Sequence, residues 1–180
     1  MTLKSRRNFL KTMGVGSAML AFPILARSAI KTEPLVRHLA FDNLHTGEKL
    51  AVTYFENGRY IPEALSEVNY LLRDYRTGDK HPMDTGLLDL LHDVQARLDV
   101  NKPFQVISGY RSPKTNAMLH KNTRGVAKKS LHMQGKAIDI CLEGVDLKAI
   151  RDMALLLGRG GVGYYPTGFV HLDTGKVRSW

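Results

Sequence analysis

Apolar and polar residues alternate loosely along LVRHLAFDNL (35–44) and again along LAVTYF (50–55), the period of two that half-buried strands require. HTGEKL supplies a turn between them, so the two runs are predicted to pair as a hairpin, and Asn57-Gly58 marks a further turn. The period then changes. Pro62 suits a first helical turn, and Ala64, Leu65, Val68, Leu71 and Leu72 recur at spacings of three and four. This predicts a helix through PEALSEVNYLLRDYR (62–76), ended by Gly78. DTGLLDLLHDVQARLDV repeats the pattern with Leu87, Leu88, Leu91, Val94 and Leu98, capped by Asp84 or Thr85. His92 in this segment reads as a partly exposed surface residue.

PFQVISGYRS reads as a strand from Phe104 to Ser108 that Gly109 breaks, and SPKTNAMLHKN as a short helix after Ser112-Pro113. TRGVAKKS is loop-like and basic, and KAIDICLEG is a strand. DLKAIRDMALLLGRGG is a helix capped near Asp146 and stopped by glycines. VGYYPTGFVHLDTG reads as two strands about a Pro166-Thr167-Gly168 turn. Repeats, long linkers and low-complexity tracts are absent. The order of elements suits one α+β domain with helices packed on a mostly antiparallel sheet. Its 180 residues, 43% hydrophobic and 24% charged, suffice for an ordinary core.

Charge changes the picture at the N-terminus. The chain has a net charge of +9 from 26 basic and 17 acidic residues. Lys4, Arg6, Arg7, Lys11 and Arg27 fall within the first 28 residues, which contain no acid. Without those five, 21 basic residues face 17 acidic ones, a body near +4. That mild excess suits an acidic substrate or a polyanionic surface and falls short of a nucleic-acid signature. In SRRNFLK, paired arginines precede the apolar run TMGVGSAMLAFPIL and the small residues Ala26 and Ser28. The apolar run is 14 residues long, short of the roughly 20 that span a bilayer. Residues 1–28 therefore resemble a twin-arginine export signal, read by the translocation machinery, with the functional domain over 29–180 and the periplasm as destination. An uncleaved signal acting as a tether remains open, as does a basic start to a cytosolic protein. A nucleic-acid-binding role would need the basic cluster to survive maturation. The lone Cys141 cannot close an intrachain disulfide, and its place in a strand predicts a buried apolar thiol.

Candidate chemistry comes from three stretches: Arg111 in SGYRS, His132 and Asp139 in SLHMQGKAID, and His171 and Asp173 in FVHLD. A lone carboxylate in a buried strand is costly, so Asp139 needs a partner. Two imidazoles and a carboxylate can hold zinc and leave a fourth position for water. Alternation places Asp139 on one face of its strand with Ala137 and Cys141, and His171 shares a face with Asp173. Pairing of the two strands would set His171 beside Asp139, while Gly135 lets the chain return the His132 ring to them. Spacing alone leaves a metal site and a structural salt-bridge network both open. His38, His45, His81, His92 and His120 have no comparable setting.

SGYRS, SLHMQGKAID and FVHLD, in this order, resemble the LAS group of zinc peptidases, which includes D-Ala-D-Ala carboxypeptidases and the hedgehog signalling domain. The D-Ala-D-Ala branch shares the Ser-x-His-x6-Asp pattern, here Ser130, His132 and Asp139. LLRDYR, RGVAKKS, GGVGYYP and FVHLDTG extend the similarity to the exported murein endopeptidases of the MepK kind, across the chain after the signal. The resemblance implies a hedgehog/D-Ala-D-Ala-peptidase-like α+β fold and one Zn2+ per chain on His132, Asp139 and His171. It further implies hydrolysis of amides in peptidoglycan crosslinks, with Arg111 stabilising the oxyanion and Ser130 and Tyr110 contacting substrate. Gly168 and Phe169 stand where many relatives carry the Glu or His that moves protons, which leaves Asp173 as the nearest carboxylate for that task. A D,D-carboxypeptidase acting on uncrosslinked stems and a non-catalytic zinc-containing wall-binding module are the alternatives. The basic loop with Arg124, Lys128 and Lys129 is either a contact for stem carboxylates or a solvated surface.

Overall fold

The computed structural model describes residues 35–123 and 125–180. The proposed export signal and Arg124 lie outside them. The first hairpin forms as the alternation predicts: β1, Arg37–Asn43, pairs antiparallel with β2, Lys49–Glu56. Asn57-Gly58, both at positive φ, then turns the chain into a short β3, Arg59–Tyr60, which alternation over two residues could not reveal. A side-chain bond holds it: the Tyr60 hydroxyl donates to the carboxylate of Asp89 at 2.8 Å. Tyr54 donates to the same carboxylate at 3.0 Å, and Arg37 pairs with it.

The first helix, α1, covers Pro62–Leu71, shorter than the apolar period predicts. Its continuation is diverted by tertiary bonds. The Leu72 carbonyl accepts from the Tyr110 amide at 2.8 Å. Two residues on, the buried Asp74 carboxylate accepts from the backbone N–H of Arg76 at 3.0 Å and of Ser112 at 2.8 Å. Side chains of this kind offer the backbone an alternative to the helix. The second helix, α2, Thr85–Leu98, starts at Asp84, whose carboxylate accepts from the Gly86 amide at 2.8 Å.

Strand β4 (Phe104–Ser108), helix α3 (Pro113–Asn122), strand β5 (Ala137–Leu142), helix α4 (Leu147–Leu157), and strands β6 (Gly161–Tyr165) and β7 (Phe169–Asp173) follow as predicted. A two-residue β8, Arg178–Ser179, closes the order. The eight strands form one sheet in the order β3-β2-β1-β4-β5-β7-β6-β8. Pairing is antiparallel except for β1 with β4 and β6 with β8, which are parallel. The fold is α+β, with a mostly antiparallel sheet.

One side of the sheet carries the core. Phe41, Phe104, Val106, Ile138, Ile140, Val170 and Leu172 pack there with Val68 of α1, Leu87, Leu88, Leu91 and Val94 of α2, and Ile150 and Ala154 of α4. Helix α3 differs. Its buried residues, Thr115 and Asn116, are polar, so hydrogen bonds hold it in place of apolar packing. Asp74 anchors its start through Ser112, one residue past Arg111. Burial alone would raise the Asp74 pKa, but hydrogen bonds from Thr115, Ser112 and Arg76 outweigh it and hold the carboxyl below its ordinary value. A depressed carboxylate contributes stability above its unfolded pKa and loses that contribution as pH falls through the folded value. Urea unfolding should therefore show the wild type losing stability as pH falls below about 4. Asp74→Ala should be about 2 kcal/mol less stable at pH 7 and should show a flatter acid dependence.

Candidate metal centre

Alternation sends Ile138, Ile140 and Leu142 of β5 into the core and leaves Ala137, Asp139 and Cys141 on the opposite face. The β5–β7 register sets Asp139 directly opposite His171, and Ala137 opposite Asp173. Ser108 of β4 faces Asp139 from the other side, and Gly163 of β6 faces His171. These residues form a row across four strands.

His132 arrives from a 3-10 turn, Leu131–Gln134, that precedes β5. Ser130 caps the turn, its hydroxyl accepting from the His132 amide at 3.4 Å. Gly135 ends it at φ 64°, a left-handed conformation. A Cβ there would lie 2.2 Å from the Pro82 carbonyl oxygen, so glycine alone permits the reversal that brings His132 back to the sheet.

The three side chains meet. His171 Nδ1 is 2.7 Å from Asp139 Oδ1, His132 Nε2 is 3.2 Å from that oxygen, and the two nitrogens are 3.2 Å apart. Three corners of a tetrahedron with bonds of about 2 Å stand about 3.3 Å apart, so the triangle fits a small ion bound on one side of its plane. The second ring atoms settle which nitrogens face inward. His132 Nδ1 lies 2.7 Å from the Gly109 carbonyl oxygen, which can only accept, so Nε2 keeps its lone pair. His171 Nε2 donates to Asp173 Oδ2 at 3.1 Å, leaving Nδ1 free toward Asp139 and His132. This is the one such group of metal-competent donors among the described residues.

Electrostatics agree with that use at His132 and Asp139, whereas at His171 an ion would have to displace a proton. Burial pushes the His132 pKa down despite the nearby Asp139, so the ring favours its neutral form. Burial acts the same way on His171, but hydrogen bonds to Asp139 and Asp173 outweigh it and raise its pKa. Burial would raise the Asp139 pKa, yet His132, His171 and Arg111 together hold it far below the usual carboxylate range. Arg111 pairs with Asp139 Oδ2 and donates from Nε to the Ser108 hydroxyl at 2.8 Å. One carboxylate oxygen therefore faces the imidazoles while the other is fixed by the guanidinium.

Asp173 is completely buried. It accepts from the amides of Gly161 at 2.9 Å and Gly175 at 2.8 Å, from both terminal nitrogens of Arg178, and from His171. These bonds occupy both oxygens, and they outweigh burial to hold its pKa well below normal. The site lies at the base of a cleft of about 580 Å³, whose walls include Arg111, Lys129, Ser130, Tyr165, Phe169, Arg178 and Trp180. Asp173 and Tyr110 are not part of those walls. Tyr110 instead stacks on His81, with ring centroids 4.9 Å apart. Lys129 brings one charge of the basic loop to the cleft, and Asn116 fixes that loop by donating to the carbonyls of Ala127 at 3.1 Å and Lys128 at 3.2 Å. Cys141 is only partly buried and donates to Gln105 Oε1 at 3.1 Å; burial raises its pKa, so it is a thiol with a polar partner. Sequence reasoning passed over Arg178 and Trp180, since a two-residue strand leaves no periodic signal.

The family model described as "Peptidoglycan L,D-endopeptidase MepK" matches residues 31–180. Peptidoglycan L,D-endopeptidase MepK of Escherichia coli strain K12 is 45% identical over 177 residues, covering 98% of this chain and 97% of that protein. The probable peptidoglycan L,D-endopeptidase MepK of Haemophilus influenzae is 42% identical over 178 residues, covering 97% of this chain and 96% of that protein.

If Asp173 orients His171 for a metal, Asp173→Ala should weaken metal affinity about 10- to 100-fold, measured by competition with a chromophoric chelator. Affinity equal to wild type would remove that role.

Proposed function

The chain belongs to the peptidoglycan L,D-endopeptidase MepK family, and on that footing we propose that it is an exported, zinc-dependent endopeptidase that hydrolyses amide bonds in murein peptide crosslinks. The observation that carries the reading is the triangle of His132, Asp139 and His171 donors at the base of a cleft. Those three residues would hold one Zn2+. When bound, the ion would supply a water of pKa about 7 and polarisation of the amide carbonyl.

The remaining chemistry belongs to the side chains. Arg111 faces the cleft while braced on Asp139 and Ser108. Its planar, permanently charged fork suits it to hold the amide oxygen as negative charge grows there. Lys129 would add a second cation for carboxylates of the peptide stem, and Ser130, which lines the cleft, would contact substrate. Asp173 is better suited to orient His171 than to carry a proton, because its oxygens are occupied and it has no access to the cleft. Gly168 and Phe169 cannot carry one either.

That shortage favours keeping a second reading, a metal-containing wall-binding module without turnover, since Asp139 is the one carboxylate among the described cleft residues. A D,D-carboxypeptidase differs from both in releasing terminal D-alanine from uncrosslinked stems. Mass spectrometry of crosslinked muropeptides and, separately, of uncrosslinked stems incubated with metal-loaded protein separates the three. The endopeptidase should yield two separated stems, and His132→Ala should yield none. Intact crosslinks with full metal loading and no D-alanine released from uncrosslinked stems would instead favour the binding module. Arg111→Ala should lower kcat about 10²- to 10³-fold while metal remains bound.

Residues 1–28 would direct export to the periplasm through the twin-arginine machinery. No helix among the described residues is long and apolar enough to cross a membrane. Replacing Arg6 and Arg7 by lysine should abolish export, and the N-terminus of exported protein, read by sequencing, should begin close to residue 29. An intact Met1 would overturn cleavage.

A further inference from the structure

Trp180 is the only tryptophan in the chain, and about half of it is exposed. An exposed indole is ordinarily free to move, but this one is held through its backbone and its ring nitrogen. Its backbone pairs with β6, the amide donating to the Val162 carbonyl at 3.2 Å while its carbonyl accepts from Tyr164 at 2.9 Å. The indole Nε1 donates to the Tyr165 hydroxyl at 3.0 Å. Tyr165 in turn stacks on Phe169, with ring centroids 4.5 Å apart. The Arg178 guanidinium lies 4.8 Å from the centre of the indole ring.

The sheet makes room for this ring at one residue. Gly163 stands beside His171 in the cross-strand row, and a Cβ at 163 would lie 2.7 Å from the indole carbons. The absence of that side chain lets the ring settle against β6, with its centroid 5.3 Å from that of His171. Trp180, Tyr165 and Phe169 together make an aromatic side to the cleft, while Arg111 and Lys129 supply cations.

Resting on the endopeptidase reading, we infer that Trp180 is a specificity-determining residue, its indole packing against the aliphatic part of the peptide stem next to the scissile amide. The proposed substrate would suit such a surface where its stems offer aliphatic groups beside free carboxylates. Held rigidly, the ring gives apolar contact with little loss of side-chain freedom. The neighbouring cations are left to meet the carboxylates.

The test uses the full chain loaded with metal and purified crosslinked muropeptide. Trp180→Ala should raise KM about 10-fold, with kcat and metal affinity near wild type, and Trp180→Phe should recover most of the loss. An unchanged KM, or a KM loss accompanied by weakened metal binding, would overturn the inference. A second measurement needs no turnover. Because the indole is unique, adding uncrosslinked stem peptide to the wild type should shift its fluorescence saturably, and a flat titration would overturn the inference. If crosslinks stay intact while the fluorescence responds, the endopeptidase reading fails and the binding role of Trp180 stands. If crosslinks are cut but KM in Trp180→Ala is unchanged, the reverse holds.

Discussion

The structure of the site depends on the pairing of Asp139 with His171 across β5 and β7. A carboxylate in the middle of a buried strand cannot remain charged alone, and here it is 2% exposed. Its neighbours in the sheet resolve the difficulty without any change in strand geometry. His171 approaches from β7, Arg111 from the end of β4, and His132 from the turn before β5 itself. A slip of one residue between β5 and β7 would send His171 to the core and bring a leucine or valine to Asp139. Packing of Ile138, Ile140, Val170 and Leu172 under the helices forbids that slip. The hydrophobic core thus fixes the register, and the register assembles the site on the opposite face.

This arrangement explains which parts were legible in the sequence. Every element with several apolar repeats was visible, because its period states both its type and its buried face. The same rule places Asp139 and His171 on compatible faces. Helix α3, held by polar contacts, was legible only through its Ser112-Pro113 start, and other features set by polar contacts were not legible. The end of α1 is set by Asp74 and by the Leu72 carbonyl, whose partners Ser112 and Tyr110 each lie 38 residues on in the chain, beyond the reach of a periodic pattern. β3 depends on a hydroxyl–carboxylate bond to α2, and β8 contributes two exposed residues. Arg178 and Trp180 went unread for the same reason, although they form part of the cleft. Tyr110 shows the opposite failure: it adjoins Arg111 in sequence, but its ring stacks on His81 and does not line the cleft.

The division of labour between the sheet's faces has a mechanical consequence. The ligands on β5 and β7 sit on strands whose other face is fully packed, so their spacing is set by the stiffest part of the molecule. The cleft rim is built differently. The stretch from Gly125 to Lys129 is held by Asn116 and His120 and carries little apolar burial, which permits local adjustment without disturbing the ligands.

Charge balance gives the site its electrostatic character. Each of the two carboxylates at the centre already has an arginine partner, Asp139 with Arg111 and Asp173 with Arg178. The imidazole of His132 favours its neutral form. The protein groups around the triangle therefore come close to cancelling before any ion is counted. A divalent cation held by the three donors would leave nearly its full charge facing the cleft, where Lys129 adds more of the same sign. Negative charge developing on an amide oxygen would meet that field in a partly desolvated pocket, where preorganised charge acts most strongly. The arginines thus serve the centre in two ways: they make buried carboxylates tolerable, and they prevent those carboxylates from neutralising the charge that the proposed chemistry needs.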